Sequence, residues 1–211
     1  MSAKYFPLGP NLLIQINFAS VVDFFYAPNP LKSAIVNSAN KSCIGGGGVD
    51  LAISSAGGQT LNRDRWALKV IQMHESNALK NIRCKTGDAK ITGPNQYGRL
   101  HVPFVIHAVG PNYTKYENRE DVGDNKLKGA YKASMSLAES EGIQGIAFSL
   151  ISAGNYRGNR NLRDLVLIAL ESVFHSARES NHIAAVHFCA YSEDEYLALV
   201  EAACMLGWVR S

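Results

Sequence analysis

Two asparagines, a run of glycines and an aspartate stand close together in one part of the chain. Asn37 and Asn40 follow a short β-prone run, residues 45–48 are all glycine, and Asp50 stands at the start of a predicted helix. Glycine loses more backbone entropy on folding than any other residue, so the run indicates a backbone that must approach something closely. At a helix N-terminus that partner is usually an anion. A carboxylate beside an anion cradle is unusual in a site that only binds, and it indicates chemistry.

The glycine run matches neither of two common nucleotide-binding motifs. No G-K-[ST] follows it, and Asp50 stands where a phosphate-binding lysine is needed, so it is not a Walker A loop. The G-x-G-x-x-G spacing of a dinucleotide fingerprint fails as well. A flexible linker is the structural alternative, but a linker is not expected between a buried strand and an apolar helix start.

Strand-like and helix-like segments alternate along the chain, which predicts an α/β layer fold. The candidate strands are short, β-branched or aromatic, and mostly apolar, as in strands that are buried on both faces. They are Leu12–Asn17, Ala34–Asn37, Phe104–Val109, Ile146–Ile151 and Ala184–Cys189. The candidate helices are Val49–Ser55, a longer stretch within Gln59–Lys80, Lys126–Ser140, Asn161–Ser180 and Glu193–Met205. Because ligands of open α/β sheets bind beyond the carboxyl ends of the strands, the loops at those ends are expected to hold the site.

A second glycine-punctuated loop, residues 152–158, also follows a predicted strand. It is expected to meet the first loop at the same edge of the sheet. The last helix opens with Ser192-Glu-Asp-Glu195, the spacing of a capping box, in which the serine and the glutamate satisfy N–H groups at the helix start. The long, mixed stretch from residue 61 to residue 83 has no role that the sequence assigns.

Length and composition favour an ordinary globular protein. At 211 residues the chain is most simply one domain, and its hydrophobic content of 46% is typical. Its longest apolar stretches are far shorter than the roughly 20 residues that a membrane helix needs, so no membrane partner is expected. Its N-terminus lacks the pattern of a signal peptide, and an intracellular location, cytoplasmic or nuclear, is expected.

The net charge and the spacing of the cysteines and histidines argue against a nucleic-acid partner and a metal site. The formal net charge of +3 is mild, so no nucleic-acid partner is expected. The basic clusters at Arg63, Arg65 and Lys69 and at residues 157–163 are interpreted as solvated faces. The 4 cysteines and 6 histidines show no metal-ligand spacing, so we expect no metal site and reduced thiols.

Four motifs occur in order along the chain. They are Asn37-Ser-Ala-Asn40, Gly45-Gly-Gly-Gly-Val-Asp50, Thr86-Gly-Asp-Ala-Lys-Ile-Thr92 and Val105-Ile-His-Ala-Val-Gly-Pro111. Together they resemble the macro domain family, and more narrowly the MacroD-type branch of ADP-ribosyl-acceptor hydrolases. In that branch N-A-A-N is followed by G-G-G-G-V-D, T-G-x-A-K-I-T and V-I-H-x-V-G-P.

The resemblance implies a fold and a ligand. The fold is a single macro domain over residues 1–211 with a core at about residues 10–205, in three α/β/α layers around a central mixed, roughly six-stranded sheet. The ligand is ADP-ribose, with no other cofactor, and backbone N–H groups of two loops hold its diphosphate. The implied ligand-binding residues are Asn37, then Gly46, Gly47, Gly48 and Val49 on one side, and Ser152, Ala153, Gly154, Asn155 and Tyr156 on the other.

The resemblance also implies an activity. Asn40 matches the asparagine that hydrogen-bonds the distal ribose, and Asp50 matches the aspartate that orients that ribose or the attacking water. The reaction is hydrolysis of the ester between mono-ADP-ribose and an aspartate or glutamate side chain, with O-acetyl-ADP-ribose as a related substrate. Whether Asp50 or the substrate's own phosphate activates the water stays open, and a helix first-turn acid is the structural alternative for Asp50. The implied partners are mono-ADP-ribosylated proteins, and the chain is expected to be a monomer.

Two other functions stay open, and departures of the chain from the family pattern favour one of them, binding without turnover. The family usually carries G-D-I-T after its first long strand, and its aspartate binds the adenine amino group; here Phe18 takes that place. Asp23 from a shifted position, or stacking by Phe18, is a candidate substitute. The alternatives to the hydrolase are a module that binds ADP-ribose without turnover and a phosphatase acting on ADP-ribose-1-phosphate.

Further departures concern the chemistry and the second loop. Ser54 stands where the hydrolase branch often has a histidine, four residues after the catalytic aspartate. Asn155 and Arg157 replace an aliphatic residue and a glycine, and Arg157 either pairs with a phosphate or points to solvent. His107 in the V-I-H-x-V-G-P strand is interpreted as a histidine with its hydrogen bonds satisfied inside the fold rather than as a catalytic one.

Overall fold

A seven-stranded mixed sheet forms the centre of the molecule in the computed structural model, which describes residues 1–9, 12–75 and 78–208. In chain order its strands are β1 Lys4–Pro7, β2 Leu13–Phe18, β3 Ser33–Ser38, β6 Asp88–Thr92, β7 Phe104–Val109, β8 Gly145–Ser149 and β9 Ala185–Ala190. Their spatial order is β1-β2-β9-β8-β3-β7-β6. Strands β2, β9, β8, β3 and β7 run parallel, and the two edge strands are antiparallel to their neighbours.

The five predicted strands are the five parallel ones. Strands β7 and β8 are buried at every residue, which is why their sequences are apolar throughout rather than alternating. The sheet has seven strands, close to the roughly six that the resemblance implied, whereas the sequence pattern indicated only the five parallel ones and missed the edge strands β1 and β6. Only Phe6 is buried in β1, and β6 is half-buried, so neither shows the apolar run by which a buried strand is recognised.

Helices cover both faces of the sheet and complete the three layers. They are α1 Val49–Ala67, α2 Glu120–Ser140, α3 Leu162–Arg178 and α4 Glu193–Met205. The face under α2, α3 and α4 buries Val36 of β3, whereas the face under α1 buries its neighbour Ile35. Successive side chains of a strand point to opposite faces, so each central strand supplies both cores.

Helix α1 is broken at Gly58, whose backbone angles (φ 63°, ψ −155°) are not helical. The Arg99 N–H donates to the Ala56 carbonyl at 2.9 Å, so an outside group satisfies a carbonyl that the break leaves open. The sequence predicted two helical segments here, and the two halves of α1 correspond to them. The second half turns back toward the start of the first, which proves essential for the site.

A separate two-stranded hairpin follows α1, with β4 at Ile71–Glu75 and β5 at Ala78–Ile82. The helix predicted within Gln59–Lys80 therefore occupies the first part of that range and ends at Ala67, and the hairpin follows it. The expected core start near residue 10 and the expected domain end at residue 211 lie outside the described residues. Among the described residues, no helix has the length and apolarity that a membrane crossing requires.

Candidate active site

A cleft of about 440 Å³ opens where four neighbouring parallel strands end. The residues that line it follow those ends directly: 19–21 after β2, Ala39 and Asn40 after β3, Leu150 after β8 and Tyr191 after β9. This is the place where open α/β sheets bind their ligands, because loops from both sides of the sheet meet there. The predicted location of the site therefore agrees with the fold.

The glycine loop forms one wall of the cleft. Gly46, Gly47, Gly48 and Val49, the residues predicted to hold a diphosphate, all line it. Gly48 caps α1 with φ 58° and ψ −131°, a conformation that a residue with a Cβ rarely adopts. The first N–H groups of α1 have no partner within the helix, so the wall carries donors for an anion.

The second loop forms the facing wall. The residues of this loop that line the cleft are Ser152, Gly154, Asn155 and Tyr156. Ser152 holds a positive φ of 62°, and its hydroxyl donates to the Pro111 carbonyl at 2.8 Å, which fixes the loop against the end of β7. The Ala153 side chain packs into the core and the residue is not among the described lining residues, so binding through its backbone N–H stays a prediction. Arg157 is not among the described residues that line the cleft.

Asp50 is buried at the floor of the cleft, with 2% of its surface exposed. Its Oδ1 accepts hydrogen bonds from Arg65 Nη2 at 2.7 Å and from Asn37 Nδ2 at 2.8 Å. Its Oδ2 is buried and has no hydrogen-bond partner within the described part of the chain. One carboxylate oxygen is thus fixed, and the other has its hydrogen-bonding capacity left for a ligand or a water.

Arg65 is fully buried, and the prediction of a solvated face was wrong for this residue. Its Nη1 donates to Ser54 Oγ at 2.7 Å, its Nε donates to the Cys43 carbonyl, and its Nη2 forms the ion pair with Asp50. A straight helix would separate residues 50 and 65 by roughly 22 Å along its axis, so only the break at Gly58 allows this pair. The adjacent glycines at positions 57 and 58 were the signal in the sequence that could have indicated the reversal.

Ser54 joins this network rather than leaving a gap where the hydrolase branch often has a histidine. Its hydroxyl donates to the Asp50 backbone carbonyl at 2.7 Å and accepts from Arg65. Ser54 thus fixes the guanidinium and the first turn of α1 together, and nothing in its contacts makes it a proton donor to the cleft.

Asn37, predicted to bind ligand, lies beneath Asp50 and does not line the cleft. It is completely buried, its Nδ2 also lies 3.3 Å from His107 Nδ1, and His107 Nε2 lies 3.1 Å from Thr92 Oγ1. Burial, with a smaller effect of the Arg65 charge, holds the pKa of His107 well below its usual value, so the imidazole is neutral. The prediction of a satisfied histidine inside the fold is confirmed, and Asn37 positions Asp50 from below.

Asn40 shapes the glycine loop and lines the cleft. Its Nδ2 donates to the Gly45 carbonyl at 2.7 Å, and its Oδ1 accepts from the Ser42 N–H at 2.9 Å. A Cβ added to Gly46 would lie 2.9 Å from Asp50 Oδ2 and 3.2 Å from Asn40 Nδ2. The two predicted catalytic residues therefore converge on the same glycine, and the space between them accepts no side chain.

The opposite end of the cleft is open and built from other elements. Tyr191 is 83% exposed, and Glu195 of α4 lines the cleft beside it. Glu195 Oε2 accepts from the Tyr191 N–H at 2.9 Å, and Ser192 Oγ accepts from the Glu195 N–H at 3.2 Å. The serine half of the predicted capping box therefore forms, but the glutamate accepts from the Tyr191 N–H, one residue before the cap, rather than from the cap residue.

Phe18 does not lie in the cleft, which corrects its prediction as a ligand-binding residue. Strand alternation places Phe18 on the same face as Ile14 and Ile16, and its ring meets Tyr196 edge-on at 6.1 Å. Asp23, the other candidate substitute for the missing aspartate, is exposed and is not among the described lining residues either. The aromatic ring and the carboxylate at this end of the cleft come from Tyr191 and Glu195 instead.

The fold and the site define an α/β/α domain with a glycine-walled cleft at the ends of its parallel strands, and comparisons with known proteins identify its class. A family model described as Macro domain matches residues 36–162. The chain belongs to the macro domain family.

Relatives and solved structures agree with this membership. The chain is 40% identical to a macro domain-containing protein of Caldanaerobacter subterraneus over 77% of this chain and 83% of the relative. It is 34% identical to a Pantoea vagans protein named O-acetyl-ADP-ribose deacetylase 1, over 77% and 85%. Its fold resembles the Oceanobacillus iheyensis macrodomain solved with ADP, with a TM-score of 0.78, 25% identity and coverage of 97% and 96%. It also resembles the Trypanosoma brucei macrodomain in complex with ADP-ribose, with a TM-score of 0.69, 29% identity and coverage of 91% and 68%.

Proposed function

We propose that this protein binds ADP-ribose in the cleft and hydrolyses esters that join ADP-ribose to a carboxylic acid. The acid is an aspartate or glutamate side chain of a modified protein, or the acetyl group of O-acetyl-ADP-ribose. The observation that carries the proposal is the Asp50 carboxylate, which has Oδ1 fixed by Arg65 and Asn37 and Oδ2 without a partner among the described residues. A buried oxygen in this state costs free energy, so a ligand hydroxyl or a water is expected to satisfy it.

The two walls suggest how the ligand lies. The diphosphate fits between residues 46–49 and the loop at Ser152, where backbone N–H groups carry no competing side chain. The distal ribose then reaches Asn40 and Tyr156 beside Asp50, and the adenine extends toward Tyr191 and Glu195. Relatives solved with ADP or ADP-ribose support a ligand of this kind.

In the proposed reaction, water attacks the ester, its C–O bond breaks, and the products are ADP-ribose and the free acid. Asp50 Oδ2 serves the step by accepting a proton from the attacking water or by stabilising positive charge that develops on the ribose. Arg65 has no atom in the cleft lining, so it acts by holding Asp50 in place. The relative named as an O-acetyl-ADP-ribose deacetylase supports a hydrolase.

The second candidate function is a module that reads ADP-ribose without turning it over. Ser54 favours it, because its hydroxyl is committed to Asp50 and Arg65 and supplies no titrating group where the hydrolase branch often has one. No feature of the cleft favours the third candidate, a phosphatase acting on ADP-ribose-1-phosphate.

Hydrolysis and binding are separated by assaying the same variants for both. The parent protein, Asp50→Ala and Asp50→Asn are incubated with a glutamate-ADP-ribosylated protein and titrated with ADP-ribose by calorimetry. Removing a proton-transfer group typically costs about 10²- to 10⁴-fold, so both variants should lose release by about that factor. The asparagine can still accept a hydrogen bond from Arg65, so Asp50→Asn remains interpretable if Asp50→Ala fails to fold.

Asp121→Asn is the matched control, because this carboxylate of α2 is exposed and outside the described cleft lining. It should leave release and binding unchanged. Binding without release by the parent protein would establish the reader function instead. If the parent neither binds ADP-ribose nor releases it, both functions are excluded.

A further inference from the structure

Two buried cysteines lie side by side next to the glycine loop. Cys43 and Cys84 are both completely buried, and they pack with Ala39 and Val109 in a small apolar cluster. The segments that carry them are joined by a backbone hydrogen bond, from the Cys84 N–H to the Lys41 carbonyl at 3.2 Å. Two thiols that are far apart in the sequence are therefore held together inside the fold.

The two thiols differ in their tendency to lose a proton, although they are hydrogen-bonded to each other. The hydrogen bond from Cys84, with smaller effects of the Arg65 and Arg83 charges, lowers the pKa of Cys43 despite its burial. The same hydrogen bond, together with burial, raises the pKa of Cys84. The two guanidinium groups lie beside Cys43, since Arg65 Nε donates to the Cys43 carbonyl and Arg83 Nη1 donates to the Ser42 carbonyl at 3.4 Å. Cys43 is thus the more reactive thiol, with Cys84 in place as its partner.

Cys43 is also connected to the Asp50 network. Its carbonyl accepts from Arg65, and Arg65 in turn holds Asp50 Oδ1. Its thiol donates to the Asn40 carbonyl at 3.5 Å. Its φ of 57° is uncommon for a residue with a Cβ, so this backbone is held in place by its neighbours. A chemical change at Cys43 therefore reaches both residues proposed for the chemistry.

A second cavity, of about 330 Å³, lies next to the cysteine pair. Val109, which packs in the same cluster as both cysteines, lines this cavity together with Ser42 and Thr86. The cavity shares Asn40 and Tyr156 with the cleft. Hydrogen peroxide is only slightly larger than water, so a local opening of this lining is enough to bring it to the thiols.

We propose that Cys43 and Cys84 form a reversible disulfide when the protein meets a peroxide, and that this bond lowers the activity of the cleft. The Cys43 thiolate attacks one peroxide oxygen, the O–O bond breaks, and a sulfenic acid and a water form. The Cys84 sulfur then attacks the sulfenic sulfur, its S–O bond breaks, and a second water leaves. In all, the two thiols lose two electrons and two protons, and the peroxide is reduced to two waters. A dithiol reverses the bond by thiol–disulfide exchange.

The disulfide is expected to disturb the Asp50 end of the cleft. Two bonded sulfurs lie closer together than two hydrogen-bonded thiols, so Cys43 has to move toward Cys84. The Asn40 carbonyl loses its thiol donor, and the Cys43 carbonyl that holds Arg65 shifts, which moves Asp50. A misplacement of about 1 Å can cost about 100-fold in rate, so kcat/KM should fall by about tenfold or more. This effect rests on the proposed function, whereas formation of the bond does not.

The test maps the bond and measures activity in the same samples. The parent protein is treated with hydrogen peroxide, its remaining thiols are alkylated, and its peptides are analysed by mass spectrometry. We expect a Cys43–Cys84 disulfide, a fall of about tenfold or more in kcat/KM on a glutamate-ADP-ribosylated protein, and recovery with dithiothreitol. The mapping uses the parent alone, so it stands even if a cysteine variant fails to fold.

Variants then locate the response in this pair. Cys43→Ala cannot form the bond, and peroxide should change its kcat/KM by less than about twofold relative to its own untreated sample, because the thiol that reacts first is absent. Cys204→Ser, which removes an exposed thiol on α4, is the matched control and should keep the whole response. The inference is overturned if peroxide leaves Cys43 and Cys84 unlinked, or if Cys204→Ser abolishes the response.

Binding measurements distinguish failure of this inference from failure of the proposed function. If the reduced protein releases no ADP-ribose, the proposed function fails, and the reduced and oxidised forms are titrated with ADP-ribose by calorimetry. A mapped disulfide that weakens this binding would support the inference in a protein that only reads ADP-ribose. A mapped disulfide that changes neither turnover nor binding would overturn it.

Discussion

The two ends of the cleft are built by opposite means. At the Asp50 end, a buried network that runs through Arg65, Asn37 and His107 fixes the carboxylate before any ligand arrives. At the other end, Tyr191 is 83% exposed, and Glu195 is held at the cap of α4 by the Tyr191 N–H. The residues proposed for the chemistry are thus held inside the folded core. The residues proposed to meet the adenine lie on the surface instead.

Breaking the ion pair should have the largest effect and should act on stability first. Arg65→Met leaves the Asp50 carboxylate buried without its partner, and breaking a buried pair typically costs about 3–5 kcal/mol. Urea unfolding measures the loss of the free energy of unfolding. Arg63→Met is the control, since that side chain is 70% exposed, and it should change stability by less than about 0.5 kcal/mol. Equal costs for the two variants would show that the buried network does not support the fold.

A methyl group at Gly46 should disturb the Asp50 end more than one at Gly47. The added Cβ would lie 2.9 Å from Asp50 Oδ2, which the ion pair prevents from moving away, whereas a Cβ at Gly47 meets no atom within 4 Å. Overpacking of this kind costs about 1–3 kcal/mol, so unfolding should distinguish Gly46→Ala from Gly47→Ala. Comparable stability of the two variants would mean that Asp50 is free to shift.

Acid should lower the free energy of unfolding through His107, which lies beneath the Asp50 end of the cleft. Burial lowers the pKa of His107, so below about pH 6.5 the unfolded chain takes up a proton that the folded protein refuses. The unfolded state then binds more protons, and the free energy of unfolding falls by about 1.4 kcal/mol per pH unit as the pH decreases.

The pH effect is measured by urea unfolding at pH 7.5, 6.5 and 5.5 for the parent and His107→Asn. The variant should lose stability less steeply in acid. His187, whose pKa burial lowers to about 4, contributes to both proteins and cancels in the difference. Identical slopes for the parent and the variant would contradict the neutral, buried state of His107.

Removing the exposed aromatic ring should have the smallest effect on stability and a measurable effect on binding. If adenine stacks on Tyr191, Tyr191→Ala should weaken ADP-ribose binding by about 1 kcal/mol, roughly fivefold, while unfolding changes by less than about 0.5 kcal/mol. Phe18→Ala, outside the cleft, should leave the affinity unchanged when both are titrated by calorimetry. A larger loss of ADP-ribose affinity for Phe18→Ala than for Tyr191→Ala would show that Phe18, and not Tyr191, contacts the adenine.

The sequence predicted those parts of the fold and site that depend on local pattern. Most of the parallel strands were recognised because burial on both faces makes them apolar throughout, as in β7 and β8, whereas β2 alternates and was recognised by its β-prone residues. The glycine loop was recognised because four consecutive glycines are unusual in a folded core. The half-buried edge strands β1 and β6 lack such a pattern and were missed.

Residues whose role depends on tertiary geometry were the least predictable. Arg65 looks like any surface arginine in the sequence, and only the break in α1 buries it against Asp50. Asn37 stands in the motif beside Asn40, but strand alternation turns it under the site. Phe18 was predicted to bind the ligand because of its position in a family motif. It lies instead on a face of β2 that packs its ring against Tyr196.

The break at Gly58 has a consequence for how such a site is inherited. Because α1 doubles back, one uninterrupted stretch from Asn37 to Arg65 contains the glycine loop, Asn40, Asp50 and the arginine that holds it. The far end of the cleft is assembled from strands and a helix that are scattered along the chain. A single exchange of coding sequence between related genes can therefore transfer Asn40, Asp50 and Arg65 together and leave Tyr191 and Glu195 unchanged. A chimera that receives this stretch from a relative should follow the donor in turnover and in diphosphate binding, and should keep its own preference for the base.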